Sequence, residues 1–240
     1  MNNKCGIIIE ARMNSKRLPG KHGLEVFQRP IISFLFDRLK KINITNKIIL
    51  ANTTNVKDNF FIYLTKKYKI KNFRGSENNV LLRVLNAAKE YKIDHIISIT
   101  GDCPLVDPEI VENCIDIYFK NKCDYLTNCI EPAYPQGMNC QIFRTDILED
   151  SYKRIKKLYS KNSKKLNFYL EHPTSYIIEK KNIYDHIYLY PPSDIFAPDV
   201  RIELDDYSDF IFISKIIKKL GKKNNDYSCK NLLNIIKDLK

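Results

Sequence analysis

The stretch from Cys5 to Lys21 reads CGIIIEARMNSKRLPGK, an apolar run that breaks into a basic loop. The apolar residues predict a short buried strand, and the Ser, Pro and Gly that follow indicate a loop. In an open α/β sheet, ligands bind where such a loop leaves the carboxyl end of a parallel strand. Arg12, Arg17 and Lys21 carry cationic groups that suit a polyphosphate. We therefore predict an exposed phosphate-binding loop, with a basic, solvated surface loop as the alternative.

Strand-like and helix-like stretches alternate through the first half of the chain. The predicted strands are 7–9, 47–52, 72–74 and 95–100, and the predicted helices are 30–42, 55–68, 80–91 and 108–119. This alternation predicts an α/β fold with a doubly wound, mostly parallel sheet. The pattern then changes, with strands predicted at 140–143, 186–190 and 200–204 and helices at 146–159, 171–178, from Tyr207 and from Cys229. No linker or repeat divides the chain, so we expect a single domain over residues 1–240.

Composition excludes several classes of protein. A hydrophobic content of 44% argues against disorder, and no apolar run approaches the ~20 residues of a membrane-spanning helix. The first strand begins almost at once, with no signal segment before it, so we expect a soluble cytoplasmic protein that does not bind membranes. The seven cysteines form no C-x-x-C pair, which favours reduced thiols over disulfides or a zinc site. The net charge of +12 could attract nucleic acid, but no nucleic-acid motif accompanies it, so we expect solvated helix faces.

The opening loop has the pattern A-R-x-x-S-x-R-L-P-G-K, and the predicted strand at 95–100 ends in T-G-D-C-P-L. Together they resemble the cytidylyltransferases that make CMP-activated acidic sugars, in the branch named after spore-coat polysaccharide synthesis and related to CMP-KDO synthetase. Weaker matches are E-N-N-V-L-L-R at 77–83 and E-H-P-T at 171–174, so that the resemblance spans about residues 5–212. It implies a nucleotide-diphospho-sugar transferase fold, which is Rossmann-like, with a small substrate-side lobe. It also divides the domain into a nucleotide-binding half, about 1–125, and an acceptor-side half, about 126–240.

Asp102 is the first candidate metal ligand. It follows a buried strand, between a Gly and a Cys-Pro pair, and Mg²⁺ prefers one or two carboxylates together with phosphates and water. A structural role, in which Asp102 caps the turn, is the alternative. The resemblance implies that Asp205, in the R-x-x-x-D segment, is the second ligand. An Asp at a helix N-terminus is favourable without any metal, so that alternative also stays open.

The resemblance assigns further residues to two groups. The expected nucleotide contacts are Ala11, Arg12, Ser15, Arg17, Lys21, Arg83, Thr100 and Asp102, and among these Arg12, Lys21 and Asp102 are the expected catalytic residues. The expected acceptor contacts are Gln136, Asn139, Gln141 and His172. Ser98 and Leu170 stand where the family pattern usually has Arg, and the three amides stand where relatives have carboxylates. An acceptor pocket changed in this way would suit a more anionic or differently oriented acceptor.

These patterns together predict a Mg²⁺-dependent cytidylyltransferase that transfers CMP from CTP to an acidic sugar for surface polysaccharide. A phosphorylated acceptor, giving a CDP-linked product, is the alternative within this class. A glycosyltransferase of similar architecture is disfavoured because the chain has G-D-C, rather than D-x-D, at the relevant strand end. The opening loop is neither G-x-x-x-x-G-K-[ST] nor G-x-G-x-x-G, which disfavours a P-loop NTPase or a dinucleotide-binding protein. The resemblance also implies a homodimer.

Overall fold

The computed structural model describes residues 5–45, 47–129, 133–161, 163–221 and 226–239. The strands are β1 (Cys5–Glu10), β2 (Glu25–Val26), β3 (Arg29–Pro30), β4 (Ile48–Thr53), β5 (Lys71–Gly75), β6 (His95–Thr100), β7 (Tyr125–Thr127), β8 (Gln141–Arg144) and β9 (His186–Tyr188). Seven of them form one sheet in the order β5-β4-β1-β6-β8-β7-β9, and β2 and β3 form a separate small ribbon. β8 runs antiparallel to both of its neighbours, and the other pairings in the large sheet are parallel. The predicted doubly wound, mostly parallel sheet is confirmed.

Nine α-helices lie within the described residues. They are α1 (Ile32–Leu39), α2 (Asn59–Lys67), α3 (Val80–Glu90), α4 (Pro108–Asn121), α5 (Thr145–Leu158), α6 (Lys164–Glu171), α7 (Ser175–Glu179), α8 (Tyr207–Leu220) and α9 (Cys229–Lys237). Among these helices, none is long and apolar enough to cross a membrane.

The two faces of the sheet are covered by different helices. Side chains of successive strand residues point to opposite faces. Ile7 and Ile9 of β1 pack into the cluster that contains α1, α2, α4, α8 and α9. Ile8 packs into the cluster that contains α3, α5, α6 and α7. All three isoleucines are fully buried, so the central strand is apolar on both faces, as a parallel sheet covered by helices requires.

Two sequence-based predictions of secondary structure are wrong. The helix predicted at 171–178 is in fact the end of α6 and a separate short α7. Ser163 caps α6 by accepting a hydrogen bond from the Leu166 N–H, so that helix begins earlier than its apolar pattern suggested. The strand predicted at 200–204 forms only one parallel bridge, between Gln136 and Arg201. Its alternating pattern reflects burial of Ile202 and Leu204 without a full strand partner.

The segment from Val200 to Asp205 is held in place at two points. The Gln136 N–H donates to the Val200 carbonyl oxygen at 2.9 Å, and the Ile202 N–H donates to the Gln136 carbonyl oxygen at 2.8 Å. Further along, the Leu204 N–H donates to the Asp102 carbonyl oxygen at 2.8 Å. These hydrogen bonds place the residues after Val200 against the carboxyl end of β6.

Gly137 permits the first of these two attachments. Its φ is +105°, a conformation that L side chains rarely adopt, and a Cβ there would lie 2.8 Å from the Ile202 carbonyl oxygen. Neither the backbone conformation nor the close approach leaves room for a side chain.

We expect Gly137→Ala to lower the free energy of unfolding by about 2 kcal/mol or more, since strain and a backbone clash add. Gly221→Ala is the matched control, because Gly221 also has a positive φ, +78°, but an added Cβ would have no heavy atom within 4 Å. That variant carries backbone strain but no clash, so it should lose less, about 1 kcal/mol. Urea unfolding of both variants measures the difference, and equal losses would show that the approach to Ile202 is not tight.

Candidate functional site

A cavity of about 360 Å³ opens at the carboxyl ends of β1 and β6. These strands are parallel neighbours, and Glu10 and Thr100 at their ends are paired in register. The Gly101 N–H donates to the Glu10 carbonyl oxygen at 2.9 Å, which continues the pairing past the strand ends. A Cβ on Gly101 would lie 2.9 Å from the Ala11 Cβ, so the two loops that leave these strands pack directly on one another. The topology therefore brings the basic loop and the T-G-D-C-P-L segment together.

Lys21 is the buried centre of the site. Its side chain is 9% exposed, and its Nζ lies 3.3 Å from Asp102 Oδ2 and 3.3 Å from Asp205 Oδ1. It also donates to the Leu204 carbonyl oxygen at 2.6 Å. Two carboxylates from distant parts of the chain thus converge on one cation. The expectation that the whole loop is exposed is wrong for Lys21, because the 3₁₀ turn at 21–23 carries it inward.

Asp205 contacts two further cations. Arg17 donates to its Oδ1 at 2.6 Å and Arg201 donates to its Oδ2 at 2.5 Å. The helix cap is the next residue, Asp206, which forms a capping box with Asp209 at the start of α8. Asp205 therefore does not cap the helix, and its 7% exposed carboxylate faces the cations of the site.

The carboxylates of this region suit a hard divalent cation. Ligand atoms of Asp102, Cys103 and Glu203 lie within 4.8 Å of one another. Burial raises the pKa of the Cys103 thiol well above its ordinary value, so a thiolate ligand for a soft metal is disfavoured. Burial opposes ionisation of Asp102 as well, but the charge of Lys21 holds its pKa below the ordinary value. Oxygen donors from Asp102, Asp205 and Glu203 are therefore the groups that could hold Mg²⁺.

Glu203 is a third carboxylate beside this pair. Burial, together with the charges of Asp102 and Asp205, raises its pKa to about 7. Three carboxylates that crowd together repel one another, so the site favours positive charge among them. The sequence showed Glu203 only as part of an acidic cluster, and nothing in its spacing distinguished it.

Arg12, another cation of the loop, is paired across the mouth of the cavity. Its guanidinium donates to Glu171 Oε1 at 3.1 Å, at the carboxyl end of α6. Arg12 and Glu171 are 28% and 43% exposed, so this ion pair is weak and exchangeable. A phosphate oxygen could replace the Glu171 carboxylate at little cost.

The cavity gathers the whole predicted nucleotide-contact group. Its lining includes Ala11, Arg12, Ser15, Arg17, Lys21, Arg83, Thr100 and Asp102, and also the proposed metal ligand Asp205. Sequence reasoning missed Glu10, Lys16, His22 and Val80, which line it too. Lys16 and Glu10 could have been found, because they lie within the quoted loop and at its strand end. The imidazole of His22 is buried, and burial lowers its pKa to about 4, so it is neutral near pH 7.

The predicted acceptor contacts are divided by the structure. His172 lines the cavity, whereas Gln136, Asn139 and Gln141 are not among its lining residues. Gln136 Oε1 accepts a hydrogen bond from Arg201 at 3.1 Å. Gln141 Oε1 accepts from the Tyr125 hydroxyl at 2.9 Å and from the Thr174 hydroxyl at 2.7 Å. The side-chain oxygens of Gln136 and Gln141 are thus engaged within the protein, and acceptor contact by the three amides stays a prediction.

We expect Lys21→Ala to lower the free energy of unfolding by about 3 kcal/mol, because it leaves Asp102 and Asp205 buried without their shared cation. Lys16→Ala removes the same charge from an exposed position of the same loop and should change it by no more than ~0.5 kcal/mol. Chemical denaturation at pH 7 compares the two variants. Equal stability would mean that the carboxylates do not depend on Lys21.

The chain is similar to known proteins in both sequence and fold. The family model described as Cytidylyltransferase matches residues 6–231. A solved cytidylyltransferase from Leptospira borgpetersenii superposes with a TM-score of 0.87 at 30% identity, covering 99% of this chain and 95% of that one. The structural superposition therefore covers both halves of the chain, including the segments that line the cavity.

Three curated relatives are similar in sequence. The uncharacterized protein MJ1063 of Methanocaldococcus jannaschii is 35% identical over 91% of this chain and 85% of its own length. The spore coat polysaccharide biosynthesis protein SpsF of Bacillus subtilis is 29% identical over 95% and 92%. The 3-deoxy-manno-octulosonate cytidylyltransferase of Chloroherpeton thalassium is 27% identical over 54% and 52%. With a family model that covers nearly the whole chain, a common fold and a cation-lined cavity at the expected strand ends, this chain belongs to the cytidylyltransferase family.

Proposed function

We propose that this protein transfers CMP from CTP to an acidic sugar and releases pyrophosphate, in the synthesis of a surface polysaccharide. The observation that carries the proposal is the convergence of Asp102 and Asp205 on Lys21, beside the loop that holds Arg12 and Arg17. A cluster of cations next to a carboxylate pair is what binding a nucleoside triphosphate together with a divalent cation requires. The SpsF relative supports the role in polysaccharide synthesis, and the 3-deoxy-manno-octulosonate relative supports the acidic acceptor.

The reaction joins a hydroxyl oxygen of the acceptor to the α-phosphorus of CTP. The bond from that phosphorus to the bridging oxygen breaks, pyrophosphate leaves, and the hydroxyl proton is released. Arg12, Arg17 and Lys21 neutralise negative charge as it builds on the departing phosphates, an effect that dominates transfers of this kind. Asp102 and Asp205 would hold Mg²⁺, which when bound supplies further positive charge to the phosphates.

The proposed acceptor end of the cavity is the end that carries His172. The His172 ring is tilted against the Phe168 ring, with centroids 4.7 Å apart, and both His172 and Lys16 line the cavity. We propose that His172, together with Gln136, Asn139 and Gln141, contacts the acceptor. Because a carboxylate and a phosphate both suit such groups, a phosphorylated acceptor giving a CDP-linked product is the second candidate.

The proposed substrates are small, soluble anions, which bears on where the protein works and what it binds. We propose a cytoplasmic homodimer that binds neither nucleic acid nor membranes. We also propose that residues of about 1–125 bind the nucleotide and those of about 126–240 the acceptor. Glu171 and Asp205 of the second half also line the nucleotide cavity, so this division concerns the main contacts only.

We expect CTP with Mg²⁺ to raise the melting temperature more than ATP, GTP or UTP does, because only a bound ligand stabilises the folded state by mass action. A thermal-shift series with the four nucleotides measures this. Equal shifts for all four would contradict the proposed cytidine specificity and would leave a general polyphosphate site.

We expect Asp102→Asn and Asp205→Asn each to reduce pyrophosphate release by roughly a hundredfold or more, the usual scale for loss of a preorganised charge in a transfer site. Asp206→Asn is the matched control, because Asn also caps helices and Asp206 is exposed at the next position. The assay supplies CTP, Mg²⁺ and in turn a sugar acid, a phosphorylated sugar or no acceptor. Release that needs only the phosphorylated sugar would favour the second candidate, and wild-type turnover in the Asp102 or Asp205 variant would refute the metal assignment.

A further inference from the structure

One side of the cavity carries the carboxylate of Glu10, a group that would not bind a phosphate. Glu10 is the last residue of β1 and lines the cavity two residues before Arg12. The Ser98 hydroxyl donates to its Oε1 at 2.9 Å from the neighbouring strand β6. Burial raises the pKa of Glu10, and the charge of Arg83 opposes that rise. A half-buried carboxylate repels a phosphate, so this part of the cavity suits a different part of the ligand.

Arg83 lines the same part of the cavity from the first turn of α3. It is 2% exposed, and one of its terminal nitrogens donates to the Ser76 carbonyl oxygen at 2.5 Å. Its Nε is buried and has no hydrogen-bond partner among the described residues. A buried N–H of a cation left without a partner is costly unless a ligand accepts from it.

Neighbouring residues hold the side chains of Glu10 and Arg83 in place. Asn79 caps α3 by accepting from the Leu82 N–H at 2.9 Å, which fixes the helix turn that carries Arg83. A Cβ on Gly75 would lie only 2.8 Å from the Arg83 Cγ, so the stem of Arg83 packs against strand β5. Glu10 is held by the sheet and by Ser98. The two charged groups influence one another's pKa, and both line the cavity without forming an ion pair among the described residues.

The Glu10 carboxylate, a hydrogen-bond acceptor, and the Arg83 N–H donors together complement the hydrogen-bonding edge of cytosine. Cytosine presents an amino group, a hydrogen-bond donor, next to ring and carbonyl acceptors, whereas uracil and thymine present a carbonyl acceptor at the position of that amino group. A carboxylate can accept from the amino group but can only repel the carbonyl. Arg83 offers N–H donors to the acceptors that remain.

We propose that Glu10 determines the choice of nucleobase by accepting a hydrogen bond from the cytosine amino group, while Arg83 donates to the acceptor atoms of the same base. This inference rests on the proposed function, since it assigns the base end of the CTP site. Ser98 is then a positioning residue, because it orients the Glu10 carboxylate and contacts no reacting atom. The departure from the family's usual Arg at this position thereby acquires a role on the nucleotide side of the site.

The test is the ratio of CTP to UTP affinity, measured by calorimetry with Mg²⁺ and without acceptor. Glu10→Gln keeps the size of the side chain but supplies an amide N–H₂ that can donate to the uracil carbonyl. We expect the CTP preference to fall by about tenfold or more, the scale of one lost base-reading contact. Glu171→Gln is the matched control, since it removes a carboxylate from the Arg12 end of the same cavity. It should change the affinities for both nucleotides by the same factor.

Ser98→Ala provides a second measurement, because it retains the carboxylate but removes its hydrogen-bond donor. We expect it to shift the ratio in the same direction by a smaller factor. An unchanged ratio in a folded Glu10→Gln variant would overturn the proposal, as would an unchanged ratio in Ser98→Ala if Glu10→Gln does not fold. A wild-type protein that prefers CTP while the variants keep that preference refutes only the role of Glu10. A wild-type protein that binds neither nucleotide refutes the proposed function as well.

Discussion

The shared contact of Asp102 and Asp205 with the Lys21 ammonium is the interaction on which the site depends. It joins the loop after β1, the end of β6 and the segment before α8, which are separated by about eighty to one hundred and eighty residues of chain. A buried ammonium needs counter-charges, and buried carboxylates need a cation, so none of the three can be removed without cost to the others. The hydrogen bond from Lys21 to the Leu204 carbonyl oxygen adds a neutral partner to this network.

Several cations of the site are already paired with carboxylates before any ligand binds. Arg12 is paired with Glu171, and both Arg17 and Arg201 are paired with Asp205. Arg17 and Arg12 are partly exposed, which makes their ion pairs weak, whereas the contacts of Lys21 are buried. A polyphosphate can therefore exchange with carboxylates at the mouth of the cavity, while the buried contacts keep the floor of the site in place.

Substitutions relative to the family pattern acquire meaning only through their surroundings. Ser98 removes a positive charge from β6, and in this chain its hydroxyl binds the carboxylate of Glu10. Gln141 accepts from the Tyr125 hydroxyl and so joins β8 to β7, a contact that a carboxylate could also make but at the cost of a negative charge. Ser98 and Gln141 are register partners on the neighbouring strands β6 and β8, so the two changes lie side by side on one face of the sheet.

The sheet and its cation-bearing loop could be predicted from local sequence patterns. The alternation of apolar strands and amphipathic helices is local information, and the carboxyl ends of adjacent parallel strands necessarily meet at one edge. Arg12, Lys21 and Asp102 could therefore be assigned to one cavity from their positions after β1 and β6. Asp205 needed the family motif, because an acidic residue before a helix has an equally good local explanation as a cap.

Other features depend on tertiary contacts that spacing along the chain cannot encode. The burial of Lys21 arises from a single 3₁₀ turn that carries it under the carboxylates, although its neighbours Lys16 and Arg17 remain exposed. The segment at 200–204 has the alternation of a strand, yet it lacks a partner along its length. It is held by the bridge to Gln136 and by the hydrogen bond from the Leu204 N–H to the Asp102 carbonyl oxygen. Glu10 and Arg83 are more than seventy residues apart, and neither belongs to a pattern that links it to the other. Their meeting depends on how α3 packs across the sheet, a non-local contact that only the assembled core specifies.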